Sequence, residues 1–183
     1  MNETAMKVEI RQAKSTDIQL LMDLDHNYST EYVWQLDLDH NRAKSDMAFR
    51  EARLPRPMAV HYPRHIETLR DDWQKRAALL VAEAEARLFG YISLNTEIAP
   101  GAVWVTDLAV NSLYRRRGIG TRLILAAQNW AREHGVRRIM IEMQSKNHPA
   151  IRLAQKLAYE FSGFNDRYYE NQDIAIFFAK RLD

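Results

Sequence analysis

The run Arg115-Arg116-Arg117-Gly118-Ile119-Gly120-Thr121 holds the residue types that grip a phosphate. Glycines let the backbone approach a ligand with no side chain in the way, and arginines offer forked donors to phosphate oxygens. A helix beginning near Ile119 aims unpaired N–H groups and a partial positive charge at the same point. Neither a Gly-x-Gly pair nor an arginine run is specific alone, since arginine runs are usually solvated faces. The order apolar strand, basic turn, glycines, helix turns the run into a pyrophosphate cradle. It is not the dinucleotide fingerprint, because Leu123 stands where a third glycine belongs. Nor is it a Walker loop, which needs Gly-Lys-Ser/Thr after four intervening residues.

The elements that must position this turn follow from periodicity. Lys7 to Gln12 alternates as a short strand, and Ser15-Thr16-Asp17 offers caps for a helix carrying Ile18, Leu20, Leu21 and Leu24. Residues 26–75 show no clear period and carry three prolines; only a helix near 65–76 is expected, and the rest reads as irregular or helical. From Ala78 the pattern sharpens. Ala78 to Glu83 and Leu88 to Asn95 form a hairpin over residues 84–87, and after Pro100-Gly101 a third strand runs from Ala102 to Val110. A helix over 120–134, with Leu123, Ala127, Trp130 and Ala131 inward, ends at Gly135. Arg138 to Met143 is a strand. Asn147 or His148 caps the next helix, whose Pro149 fits its first turn and whose buried positions are Ala150, Leu153, Ala154 and Leu157. Strands over 159–167 and 173–180 close the chain. Strand-helix-strand alternation around the glycine turn implies a right-handed parallel crossover within a mixed sheet, hence one α/β (α+β) domain over 1–183.

Composition bounds the rest. The chain has 183 residues, 46% apolar and 27% charged, enough for a real core and too apolar for disorder. A net charge of +2 gives no bulk electrostatic case for nucleic acid. There is no cysteine, hence no disulfide and no thiolate nucleophile. The first residues lack a signal-peptide pattern, and no stretch approaches a membrane span, so a cytoplasmic protein without a membrane partner is expected.

Leu108-Ala109-Val110, then Arg115-x-x-Gly118-x-Gly120, then helix, strand and Asn147-His-Pro-Ala150-Ile-Arg-Leu153-Ala154-Gln155-Lys156-Leu157-Ala158-Tyr159 resemble the GNAT superfamily of acetyl-CoA-dependent N-acetyltransferases. The resemblance covers about 78 to the end well, the first strand and helix fairly, and the variable insert at 26–75 not at all. It implies a mixed central sheet of six to seven strands with helices on both faces and a splayed parallel pair at the cofactor site. The cofactor is then acetyl-CoA, with no metal. Its pantetheine arm meets Leu108, Ala109, Val110 and Asn147, and its pyrophosphate meets Arg115, Arg116, Arg117, Gly118, Ile119, Gly120 and Thr121. Lys156 or Arg152 reaches the 3′-phosphate. For Asn147 alone, a plain helix cap is the competing reading.

Direct acetyl transfer needs a base for the amine, a donor for the oxyanion, a proton for the leaving thiolate, and alignment. The resemblance assigns the oxyanion donor to the Val110 N–H. Glu142, interrupting the apolar strand Ile139-Met140-Ile141-Glu142-Met143, is the candidate base; a carboxylate facing solvent or tied to an arginine is as good a reading. Asp107 is the second candidate, and an ion pair with loop arginines is its preferred explanation. Family members usually carry the thiolate's acid, a tyrosine, where this chain has Ala154. Tyr159, Tyr168 and Tyr169 are the candidate replacements, with Tyr168 the one placed in the catalytic set.

Variation in such a fold gathers on the acceptor side, so 26–75 is expected there. Glu31, Asp37 and Asp39 beside Tyr32 and Trp34 suit a cationic amine; a solvated acidic loop over a Trp34 core contact explains them as well. The expected partner is a peptide or small-molecule amine, from a protein N-terminus through polyamines to streptothricin-like compounds, and a homodimer stays open. Two other classes compete. One is a non-catalytic acyl-CoA-binding regulatory module that has lost its acid at Ala154. The other is a basic nucleic-acid-binding domain on Arg115 to Arg117, which the small net charge disfavours.

Overall fold

Strands β4 (Ala78–Ala84) and β5 (Arg87–Asn95) are apolar along nearly their whole length and buried on both faces. Such strands need cover on two sides, and the computed structural model, which describes residues 7–41 and 44–183, supplies it. A seven-stranded sheet runs in the order β1-β4-β5-β6-β7-β9-β8. Its other members are β1 (Glu9–Gln12), β6 (Val103–Val110), β7 (Arg138–Gln144), β8 (Glu160–Asn165) and β9 (Ala175–Arg181). Of these pairings, β6 with β7 is parallel and the others are antiparallel. Helices α3 (Ile119–Glu133) and α4 (His148–Lys156) cover one face, burying Leu123, Ile124, Ala127 and Ile151 with Val103, Val105, Ile139 and Ile141. Helix α1 (Ile18–Met22) and helix α2 (Glu67–Asp72) cover the other, where Leu21 and Leu69 meet Leu79, Val81, Tyr91 and Ala109. The expected mixed sheet with helices on both faces is therefore present.

Segment 26–75 departs from the irregular or helical expectation. It is mostly a two-stranded antiparallel ribbon, β2 (Tyr28–Asn41) with β3 (Lys44–Val60), followed by α2 and a 3-10 turn over Trp73–Lys75. Among the described residues, aromatic cover of this ribbon lies about midway along it. Trp34 and Phe49 pack there with Phe161, Phe164 and Phe178 at centroid distances from 5.3 to 6.1 Å. The Trp34 N–H also donates to the Ser145 carbonyl at 2.9 Å. The acidic-loop reading of this segment changes accordingly. Trp34 is a core contact, Tyr32 stacks on His148, Asp37 ion-pairs with Arg50, and the Asp39 side chain lies outside the described ones.

Two backbone features set up the site. Between β5 and β6 the register shifts, Ser93 facing Asp107 while Leu94 faces Val105, so Thr106 is an extra residue on β6. A bulge of this kind exchanges faces. Val103 and Val105 enter the α3–α4 core, whereas Ala109 beyond the bulge enters the α1–α2 core. At Gly90, a Cβ would stand 2.4 Å from the Ala109 carbonyl oxygen, so no other residue fits against this stretch of β6.

Candidate active site

The β6–β7 ladder pairs Val103 with Ile139, Trp104 with Met140 and Val105 with Ile141, and stops there. Beyond it the strands part. The Asn111 N–H donates to the Phe89 carbonyl at 2.8 Å on the β5 side. Alternation along the strand then turns the Leu108 and Val110 N–H groups away from β5, into the gap. These are the unpaired amides that an extended, amide-bearing ligand would satisfy.

The turn after β6 builds the cradle. Arg116 (φ 65°) and Gly118 (φ 82°) are both left-handed, and the amides of Arg116, Arg117 and Gly118 have no backbone acceptor among the described residues. Ile119 is buried and offers only its amide, Gly120 and Thr121 follow in the first turn of α3, and Arg122 makes the first helical bond, to the Gly118 carbonyl at 3.1 Å. The three arginines have different surroundings. Arg115 donates through Nε to the Val110 carbonyl (2.9 Å) and through Nη2 to the Asp25 carbonyl (2.6 Å), so its side chain braces the turn. Arg117 lies over the Tyr114 ring, and Arg116 and Arg117 are exposed. Gly120 is small for packing: a Cβ there would meet Leu153 Cδ2 of α4 at 3.2 Å. Asn147 caps α4, its Oδ1 accepting from the Ala150 N–H at 3.2 Å, and Lys156 is exposed in the last turn of that helix.

On the α1–α2 face, the same strand ends carry the acids. Asp107 is buried and accepts from the Tyr62 hydroxyl, from Arg76 Nη1 at 2.8 Å and from Thr106 Oγ1 at 3.0 Å. Burial alone would raise its pKa; Arg64, Arg76 and the Tyr62 hydroxyl outweigh that and hold it below the usual carboxylate range. Glu142 is buried and ion-paired with Arg64, and the Tyr168 hydroxyl donates to its Oε2 at 3.2 Å. Arg64 also donates to the Thr106 carbonyl at 3.0 Å and approaches Asp107 at 3.8 Å. The structure thus brings Glu142, Asp107 and Tyr168 together around one guanidinium.

The tyrosine question narrows. Ala154 is in the core, and Tyr159 is buried with its hydroxyl accepting from Gln128, burial pushing its pKa up to about 12. Tyr169 lies buried under the Arg64 guanidinium, 5.3 Å from its ring centroid. Tyr168 is partly exposed and touches Glu142; burial, then the Glu142 charge, raise its pKa and keep it protonated.

A cleft of about 390 Å³ opens beside this cluster, lined among others by Leu24, Asp25, His26, Tyr62, Arg64 and Glu67. A larger open cavity, about 720 Å³, lies at the opposite end of the sheet near Arg138 and Arg181, away from these acids.

The sequence profile of the Acetyltransferase (GNAT) family matches residues 46–159. The chain belongs to that family. This acetyltransferase is 23% identical over 167 residues to the streptothricin acetyltransferase of Streptomyces lavendulae, covering 88% of this chain and 86% of that one. It is 29% identical to an N-alpha-acetyltransferase of Sulfurisphaera tokodaii, covering 75% and 87%. In fold it superposes on nourseothricin acetyltransferase with a TM-score of 0.81 at 19% identity, covering 98% of this chain and all (100%) of the other. A Bacillus anthracis protein solved in complex with acetyl coenzyme A aligns with a TM-score of 0.75 at 21% identity, covering 98% and 100%. The acetyltransferase is an acyltransferase that uses acetyl-CoA, which sets aside the alternative of a non-catalytic module. Its residues fit that cofactor: free amides and a left-handed glycine at the turn suit a pyrophosphate, and the splayed strands leave amides for the pantetheine arm. Acetyl-CoA supplies the activated acetyl thioester; the protein supplies the groups around it.

Tyr62, Arg64, Arg76 and His26 were beyond sequence reasoning. The dense run His61-Tyr62-Pro63-Arg64-His65 was the available signal, but nothing in its spacing says that it folds back onto strand ends 40 to 80 residues away.

Proposed function

We propose that this acetyltransferase acetylates a primary amine of a small, cationic, streptothricin-like molecule that enters through the His26–Tyr62–Arg64 cleft. The observation that carries the reading is the placement of that cleft: it is walled by Arg64, which reaches both acids at the ends of the splayed strands. Asp25 and Glu67 on its lining give an entering cation favourable charge. The streptothricin enzyme and the N-alpha-acetyltransferase both align along most of their length, so the cleft and its charge, not the alignments, favour the small-molecule acceptor.

In this reading the Val110 N–H donates to the thioester carbonyl oxygen, and backbone amides of residues 116–121 hold the pyrophosphate, with Leu108 and Asn147 along the pantetheine arm and Lys156 toward the 3′-phosphate; Ala109, expected there from the sequence, instead pairs with Tyr91 of β5 and is buried in the α1–α2 core. Arg115 acts through its brace on Val110. Glu142 takes the proton that the nitrogen loses during attack, Tyr168 donates to the departing sulfur, and Asp107, bonded to Arg76 and beside Arg64, keeps the cluster in place. A panel of streptothricin, spermidine and an alanyl peptide, assayed by thiol release from acetyl-CoA, tests the proposal. Streptothricin is expected to give the highest kcat/KM; a peptide preference would move the acceptor to the N-terminal class.

A further inference from the structure

Tyr168 reaches Glu142 from the turn between β8 and β9, whose side chains over 166–173 are mostly exposed. Arg167 (φ 51°) and Gln172 (φ 64°) both take the left-handed conformation that residues with a side chain seldom adopt. Strain of this kind persists only where the surroundings over-determine the backbone.

The buried Asp173 does so here. Its carbonyl oxygen accepts from the Tyr168 N–H at 3.1 Å and from the Tyr169 N–H at 3.3 Å. Its own N–H donates to Asn171 Oδ1 at 3.1 Å, and Asn171 Nδ2 donates back to Asp173 Oδ2 at 3.0 Å. Two further donors fix the carboxylate from outside the turn. Gln144 Nε2 donates to Oδ2 at 2.8 Å, and Lys146 donates to Oδ1. Gln144 is buried and stands two residues beyond Glu142 on β7, so alternation puts both side chains on one face of the sheet. Facing a carboxylate, only the amide nitrogen of Gln144 can make this bond, which settles the orientation of its carboxamide. The Gln144 Oε1 then accepts from the Tyr28 hydroxyl at 3.0 Å, where the ribbon begins. These contacts take no part in the chemistry assigned to Glu142 and Tyr168, yet they bind the acid's turn to the base's strand.

We propose that Gln144 and Asp173 are positioning residues that lock the turn over 166–173 to β7 and so hold the Tyr168 hydroxyl against Glu142. The role rests on Tyr168 serving as the thiolate's acid. With the lock closed, the hydroxyl donates to Glu142 Oε2 at 3.2 Å, and the ring packs on Tyr169 and Phe177 at centroid distances of 5.1 and 6.0 Å. With the lock open, the turn relaxes its left-handed residues and carries the hydroxyl toward solvent. Proton donation then falls, while the cradle at the start of α3 is untouched.

Asp173→Asn and Gln144→Met, assayed with the fastest acceptor among streptothricin, spermidine and the alanyl peptide, test the lock. Among the described residues every side chain bonded to the Asp173 carboxylate is a donor, so Asp173→Asn must set an NH2 group against one of them. Gln144→Met removes the tie to β7 at nearly the same size. Each is expected to lower kcat about tenfold, as Tyr168→Phe does, with acetyl-CoA affinity near the parent's by calorimetry. Added to Tyr168→Phe, neither should slow turnover further, because the hydroxyl they position is already gone. Equal slowing in both backgrounds, or parent-like kcat in both single variants, overturns the proposal. Should Tyr168→Phe turn over like the parent, or should none of the three amines be acetylated, the reading it rests on fails by itself. Hydrogen exchange at the Tyr168 and Tyr169 amides then decides the lock: lost protection in both variants, with β9 still protected, supports it, and protection equal to the parent's rejects it.

Discussion

Arg64 and Glu142 form an ion pair across the point where β6 and β7 separate. The other guanidinium nitrogen of Arg64 donates to the Thr106 carbonyl, one residue past the last paired position of β6. One side chain from the segment after the ribbon thus replaces ladder bonds that the splay has removed. It ties the segment after the ribbon to both splayed strands.

Removing Arg64 leaves a buried carboxylate unpaired and takes one cation from Asp107. Arg64→Met is therefore expected to cost about 3 kcal/mol in urea denaturation, the usual range for breaking a buried pair from one side. Arg64→Lys keeps the charge but not the fork, and should recover only part of the loss. A Met variant as stable as the parent would show that the pair is not held in solution.

The two glycines of the cradle should respond differently. A side chain at Gly118 meets open space but must adopt φ near 82°, a strain of about 1–2 kcal/mol, and Asp there adds a negative charge at the proposed pyrophosphate site. Gly118→Asp should weaken acetyl-CoA binding at least about tenfold by calorimetry, roughly 1.4 kcal/mol, with the fold retained. Gly120→Ala instead crowds Leu153 at 3.2 Å, so its main effect should be a lower Tm. Equal effects of both changes on affinity and Tm would contradict this division.

What the sequence revealed was local. The glycine turn, the helix after it and the Asn147 cap each occupy consecutive residues with distinct chemistry, and all three stand where expected. The bulge at Thr106 was invisible because Val103, Val105, Asp107 and Ala109 alternate as though they shared one face. The ribbon escaped because strands of 14 and 17 residues lying largely outside the sheet need little apolar alternation. The partners of Asp107 and Glu142 depend on tertiary contacts of a segment with no period, so spacing could not identify Arg64.

Glu142 holds both a proposed chemical role and an ion pair, and a double variant separates them. Glu142→Gln should lower turnover about 100-fold while acetyl-CoA affinity stays near the parent's. Stability should also fall, since Arg64 is left without its partner. Adding Arg64→Met removes both charges, so the combined stability loss should be smaller than the sum of the two single losses, while turnover stays low. Tyr168→Phe, which deletes the hydroxyl 3.2 Å from Glu142, should slow turnover about tenfold with little effect on stability. Full activity in Glu142→Gln would remove the carboxylate from the reaction.

Stability should depend on pH in two separate windows. His26 and Asp107 both have folded pKa values below their unfolded ones, His26 because of burial and Asp107 because Arg64 and Arg76 outweigh burial. Between each pair of values the unfolded chain binds the extra proton, so acidification favours unfolding and stability rises with pH. The His26 contribution is complete above about pH 6.5 and is lost as pH falls toward its folded value. That of Asp107 is complete above about pH 3.9 and is lost below. The parent's unfolding free energy from urea titration should therefore fall as pH drops below about 6.5, by no more than about 1.4 kcal/mol per pH unit for this one group, and fall again below about pH 4. His26→Asn should remove the first decline and leave the second. A parent midpoint that is level from pH 7 to 5 would mean that His26 titrates as an exposed ring, and the contacts with Leu24 and Tyr91 would not persist in solution.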